Sequence, residues 1–384
     1  MEAHRNPSSN CYFQFGSIAT SVKSTRVRTA LMAKPAWLPN HIPSLDGLRG
    51  LAIALVLLHH CEPRLRPLGL GPLAAWGWMG VNLFFVLSGF LITGILLDER
   101  GQPHLFRNFY ARRGLRIWPL YFLVVPLVYF AFGPHATWKG SQPGWLYLFF
   151  YVQNLFPGLN GALYPTWSLA IEEQFYLVWA PLVRFLPKWL LGAVLLLVLA
   201  SGTGLRGTLA GSLPPIHTLY HLDGLAAGCL LALAVRTWHA SAACWRIVGW
   251  LAAGTGLGGC LYASFYRPSL LNTFLAIGFV GVLALAATVP AAAGLTWRPL
   301  RFLGKISYGV YLIHMPVFVL LGGVDVYLDR IHAGAAGDLL IVVMRLAVSL
   351  ALATMLWYGF ERPILRLKRL FRPNPVPADT TVAA

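Results

Sequence analysis

Charge is what this 384-residue sequence has least of. Charged residues make up 11% of it, only 13 of them acidic, against 57% hydrophobic residues and a mean hydropathy of +0.63. A soluble domain carries about a quarter charged residues, so a soluble globular chain is excluded. The five cysteines, Cys11, Cys61, Cys229, Cys244 and Cys260, are scattered, odd in number and never spaced as CxxC. That pattern leaves neither a disulfide framework nor a zinc site. No histidine pair stands at ligand spacing with an acidic partner, so no metal is expected. An apolar core of signal-peptide length is missing before Leu48, and no cleaved signal is expected. Internal repeats and paired interrupted helices, which would suit a carrier or flippase, are also missing. So is the acidic loop motif that a lipid-linked glycosyltransferase would use for a metal–nucleotide complex.

What the sequence does have is repeated apolar runs of membrane-spanning length, which predict an all-α, polytopic transmembrane helical bundle. The runs fall at 47–61, 76–97, 117–132, 166–183, 189–205, 217–235, 246–266, 270–289, 306–324 and 339–360. A further run, 145–156, is too short to span. With that run in the interface there are about ten crossings and the positive-inside rule holds throughout. Lys34, a basic loop at 98–116, Arg184, Lys188, Arg236, Arg246, Arg298, Arg301, Lys305 and the basic tail then face the cytoplasm, with both termini. Asp325, Asp329 and Asp338 face outward. The net charge of +17 therefore reads as topology signal and anionic-lipid contact, not as nucleic-acid binding. The expected organisation is a disordered cytoplasmic extension over 1–40, a membrane bundle over 41–365 and a basic cytoplasmic tail over 366–384.

The stretch Ser44–His60, SLDGLRGLAIALVLLHH, organises the rest. Arg49 and His60 are eleven positions apart, about three turns plus roughly 20°, hence on one stripe and about 16 Å apart along the axis. An ionisable residue inside a spanning helix is a functional-site hypothesis by default. The plain alternative is that Arg49 snorkels to headgroups and His60 bonds a neighbouring helix. Arg113 and Arg116 share a face at the start of the third crossing. With Arg49 they form a cytoplasmic cluster suited to the phosphates of an anionic cofactor, or simply ordinary positive-inside charge. Glu172 and Glu173 in PTWSLAIEEQFYLVWAPL, Asp223 in HLDGLAAGCLLA, and Tyr311 and His314 in SYGVYLIHMP place polar groups in apolar helices. For each, a structural hydrogen bond between helices competes with a role in chemistry.

SLDGLRGLAIALVLLHH, GVNLFFVLSGFLIT, ARRGLRIWPLYF, PTWSLAIEEQFYLVWAPL, HLDGLAAGCLLA and GKISYGVYLIHMPV resemble, in order, the motifs of the acyltransferase-3 family of integral membrane acyltransferases. The resemblance covers about 44–363. It implies a ten-helix bundle that moves an acyl group, often acetyl, from acyl-coenzyme A to a hydroxyl of a cell-surface glycan such as lipopolysaccharide or exopolysaccharide, or of a secondary metabolite. It maps the family's Arg-x10-His motif onto Arg49 and His60, and its Arg-x-x-Arg motif onto Arg113 and Arg116. Asn82 departs from the common Asp, and His59 from the common aromatic. No hydrolase-like domain follows the bundle, so it is expected to work alone or with separate partners. Together the two readings make His60 either the base of a direct transfer or the carrier of the acyl group, with Glu173 or Glu172 orienting it or the acceptor. Arg49, Arg113 and Arg116 hold acyl-CoA, in the first instance acetyl-CoA. Asp223, His314 and Tyr311 are acceptor-side or structural polar groups. The expected place is the bacterial inner membrane.

Overall fold

The structure, a computed structural model, describes residues 34–35, 37–39, 41–133, 137–139, 144–209, 211–289 and 294–371. Most of the extension at 1–40 and all of the tail beyond 371 lie outside the described residues. In a bilayer every backbone N–H and C=O must find its partner within the protein, and a helix does this locally. The apolar runs accordingly become helices: α1 (Pro43–His60), α2 (Met79–Asp98), α3 (Leu105–Phe132), α4 (Thr166–Phe185), α5 (Lys188–Thr208), α6 (Leu222–Thr237), α7 (Ala242–Tyr266), α8 (Leu271–Thr288), α9 (Arg298–Leu320) and α10 (Gly334–Leu356). The fold is all-α. Among the described residues the only β pairing is an isolated bridge between Trp138 and Leu159.

Among the described residues, seven helical stretches are long and apolar enough to cross a membrane. The long helices outside that set are α1, α4 and α6. The first two carry Asp46, Arg49, His59, His60, Glu172 and Glu173, and α6 has only 16 residues. The run at 145–156 is helical only over Gly144–Phe149. Six residues rise about 9 Å, far short of a hydrocarbon core of about 30 Å.

One expectation needs correction. The segment read as a basic loop up to residue 116 is helical from Leu105 onward, so Arg107, Arg112, Arg113 and Arg116 stand on α3. An apolar run marks where lipid begins, not where the helix does. Here the helix continues outward because some of its arginines turn to a shared cavity.

Two close approaches set the site. A Cβ on Gly304 of α9 would lie 1.8 Å from the Asp46 carbonyl oxygen, and one on Gly50 of α1 would lie 2.1 Å from the Leu300 carbonyl oxygen. Small residues let α1 and α9 meet backbone to backbone, which brings the helix of His60 onto the helix of His314. Gly89 of α2 and Gly228 of α6 do the same for the neighbouring pair. The most apolar window of the stretch containing α2 is 72% buried, whereas that of α7 is 17% buried. The bundle thus centres on α2, and α7 turns most of its surface to lipid, as the exposed Trp250, Leu257 and Phe265 indicate.

After α10 the chain makes a π-helical turn, Trp357–Glu361, then short turns over Arg362–Leu365 and Arg366–Phe371. The last of these returns to α3, where Arg112 Nη1 donates to the Phe371 carbonyl at 2.6 Å.

Candidate active site

A cavity of about 480 Å³ opens between α1, α2, α3, α4 and α9. It gathers Arg49, Arg113 and Arg116 with Glu172 and Tyr311, and adds Asp46, Arg112, Lys305 and Lys368. Its arginines are sparsely bonded. Arg49 donates to Asp46 Oδ1 at 3.3 Å, and Asp46 also meets His41 Nε2 at 2.9 Å. Arg116 reaches the Lys305 carbonyl at 3.5 Å and stands 3.7 Å from Glu361. Its guanidinium lies 5.9 Å from the Tyr308 and Trp357 ring centres. Arg113 bonds no described residue and lies 5.5 Å over the Tyr176 ring. A guanidinium has five donors and cannot be deprotonated in a protein. These three therefore keep guanidinium donors open on the cavity wall. Arg112 is different: it is held bidentately by Glu99, at 2.8 and 2.6 Å.

Glu172 accepts from the Tyr176 hydroxyl at 2.5 Å, and that hydroxyl also meets Ser88 at 2.6 Å. Glu173, one residue on, points about 100° away. It accepts from Trp118 Nε1 at 3.0 Å, and its other oxygen is buried without a hydrogen bond among the described residues. Neither carboxylate bonds His60.

Tyr311 of α9 is part of the cavity lining. Its hydroxyl donates to the Pro165 carbonyl at 3.0 Å and meets Ser168 Oγ at 2.6 Å. The Tyr311 ring lies 5.8 Å from that of His314, and His314 lies 4.9 Å from His60, edge to face. The tautomers follow from the partners. His60 Nδ1 sits 2.9 Å from the Val56 carbonyl, and His314 Nδ1 lies 2.7 Å from the Tyr311 carbonyl. A carbonyl only accepts, so both Nδ1 atoms carry hydrogen, and in the neutral ring this leaves the lone pair on both Nε2 atoms. His314 is fully buried, with Nε2 unbonded among the described residues, while His60 is half-buried at the last turn of α1. His60 thus has the free lone pair and the access that a base requires.

Asp223 joins neither group. It is 1% exposed and takes Arg206 bidentately at 2.7 and 2.9 Å, with Thr273 at 2.5 Å. Sequence reading did not single out Tyr176, Ser88, Trp118, Glu361 or Lys368. Glu361 had one readable signal, a lone acid beside Arg362 at the end of the last apolar run. Lys368 had none, being one cation among several.

Comparison with known proteins narrows this arrangement. An acyltransferase domain of the acyltransferase-3 type matches residues 42–358. The peptidoglycan O-acetyltransferase OatA of Listeria monocytogenes is 32% identical over 317 residues, covering 73% of this chain and 50% of that protein. The putative peptidoglycan O-acetyltransferase YrhL of Bacillus subtilis is 31% identical over 365 residues, 84% of this chain and 55% of that protein. The O-acetyltransferase OatA of Staphylococcus aureus is 29% identical over 324 residues, with 73% and 51% covered. The chain spans about half the length of the curated relatives it matches. No solved structure matches it significantly. The matched region contains Arg49, His60, Arg113, Arg116, the two glutamates and His314, and with it the chain belongs to the acyltransferase-3 family of multi-pass membrane acyltransferases.

Proposed function

We propose that this protein is a membrane O-acyltransferase that moves an acetyl group from cytoplasmic acyl-coenzyme A to a hydroxyl of a cell-surface glycan. The observation that carries this reading is the cation-lined cavity whose Tyr311 leads by ring contacts of 5.8 and 4.9 Å to His314 and then His60, neither of which lines the cavity itself. Arg49, Arg113 and Arg116 hold the phosphates of the donor, and the pantetheine arm runs along α1. The axial offset of about 16 Å between Arg49 and His60 suits that arm. The acceptor approaches from the other face. His60 Nε2 takes the proton of the acceptor hydroxyl, whose oxygen attacks the thioester carbonyl. The C–S bond breaks, and the coenzyme A thiolate takes the proton from the imidazolium. Glu172 and Glu173 orient the walls of the donor site through Tyr176 and Trp118.

The topology that goes with this chemistry has ten crossings with both termini cytoplasmic, in the bacterial inner membrane. The ten long helices, the brevity of Gly144–Phe149 and the gathering of cations at one end support it. The bundle over 41–365 is the catalytic unit. Because similar proteins are named peptidoglycan O-acetyltransferases, peptidoglycan is the first acceptor to assay and lipopolysaccharide the second.

The test is purified protein in proteoliposomes with acetyl-CoA and glycan. The expected result is glycan-dependent release of free thiol, matched by acetyl ester on the glycan. An intact thioester together with movement of the glycan across the bilayer would replace this reading by that of a carrier.

A further inference from the structure

The cavity has a wall that does not come from the long helices. The turn Arg366–Phe371 returns to α3, fixed by the Arg112 bond to the Phe371 carbonyl at 2.6 Å, and its Lys368 lines the cavity with Arg112, Arg113 and Arg116. Lys368 is half-buried, yet it makes no hydrogen bond or ion pair with a described residue. Its neighbour Arg369 is exposed and does not line the cavity. An ammonium brought close to three guanidiniums without a carboxylate of its own is unfavourable unless an anion joins them. The π-helical turn is what aims this segment. It sets Trp357 on the cavity wall and Glu361, 4% exposed, against Arg116 at 3.7 Å. An irregular turn that departs from the α register is a common device at functional sites.

We infer that the segment Arg366–Phe371 forms the outer wall of the donor site and that Lys368 is a direct ligand of the donor's phosphates. This rests on the acyl-coenzyme A reading above. A flexible four-carbon stem carrying a compact charge suits this position, because it can follow a phosphate at the cavity mouth while the guanidiniums fix those further in. The segment then does more than mark topology: it completes the site.

The experiment is steady-state kinetics of full-length protein with two donors, acetyl-CoA and acetyl-pantetheine, which lacks the nucleotide and its phosphates. Lys368→Gln is expected to raise KM for acetyl-CoA about tenfold or more, the loss of one charge-assisted hydrogen bond, with kcat unchanged. Its use of acetyl-pantetheine should equal that of the wild type. Lys368→Arg should recover most of the affinity, and Arg369→Gln should behave as wild type. An unchanged KM in Lys368→Gln, with a raised KM in Arg116→Gln, overturns the inference and leaves the donor reading standing. Equal effects of Lys368→Gln and Arg369→Gln overturn it as well, since general surface charge would then suffice. A wild type that uses both donors equally overturns the donor reading, and this inference with it.

Discussion

Arg206 and Arg113 are the same side chain within one bundle, and their surroundings are opposite. Arg206 donates to the carbonyls of Ser269 and Tyr220, to both oxygens of Asp223 and to the Thr273 hydroxyl. Those five bonds match the five donors of a guanidinium, so nothing is left for a ligand. Arg113 bonds no described residue and faces a cavity of about 480 Å³. Both are ionisable groups in apolar helices, and residue type alone marks both as functional. The difference lies in how many donors remain. A saturated guanidinium holds helices together; an unsaturated one on a cavity wall keeps donors open, which is why the proposed donor site is placed there. Arg236, held bidentately by Asp98 at 2.7 and 2.9 Å, falls with Arg206.

The largest expected effect separates chemistry from both kinds of arginine. His60→Ala should lower transfer roughly 10²–10⁴-fold, as loss of a general base does, while leaving donor affinity and membrane insertion unchanged. His59→Ala should stay near wild-type turnover, because the preceding position points about 100° away. Acetyl incorporation at matched protein abundance measures both. A dead His59→Ala beside an active His60→Ala would move the base to His59.

The next effect tests the saturated pair. Arg206→Leu leaves Asp223 buried and uncompensated, and should cost about 3–5 kcal/mol of stability. The double variant Arg206→Leu, Asp223→Leu should recover most of it, since removing both partners strands no charge. Thermal melting in detergent measures this. A single variant as stable as wild type would remove Arg206 from the structural class.

A smaller effect belongs to geometry. Arg116→Lys keeps the charge but loses the planar fork that stacks near Tyr308 and Trp357. It should weaken acetyl-CoA binding about tenfold, less than Arg116→Gln does. Equal affinity of Arg116→Lys and wild type would assign Arg116 a purely coulombic role.

The same comparison explains what was legible in the sequence. Apolar runs report burial in lipid, so the long helices could be placed closely, down to the brevity of the run at 145–156. The start of α3 could not, because polar helix facing a cavity has the composition of a loop. Arg49, Arg113, Arg116, Glu172 and Tyr311 were each singled out from their motifs and line one cavity through α1, α3, α4 and α9, but Glu172 was expected beside His60, and Tyr311 on the acceptor side, rather than with the arginines. The partners did not show. Nothing local distinguishes Arg206, which saturates Asp223, from other cations near helix ends. Glu361 reaches Arg116 only because a π turn changes the register, and Lys368 reaches the cavity only because the chain turns back. His60 and His314 meet because Gly50 and Gly304 let two helices touch, a pairing that no spacing within either helix encodes.

The most direct test of the account measures donor affinity and thermal stability together on Arg113→Gln and Arg206→Gln. Calorimetry with acetyl-CoA and melting in the same detergent give both numbers for each variant. The account predicts that Arg113→Gln loses about tenfold to a hundredfold in affinity at an unchanged melting temperature. It predicts that Arg206→Gln melts lower while its folded fraction binds as wild type does. The reverse pattern, with Arg113→Gln unstable but fully binding and Arg206→Gln stable but unable to bind, would contradict it.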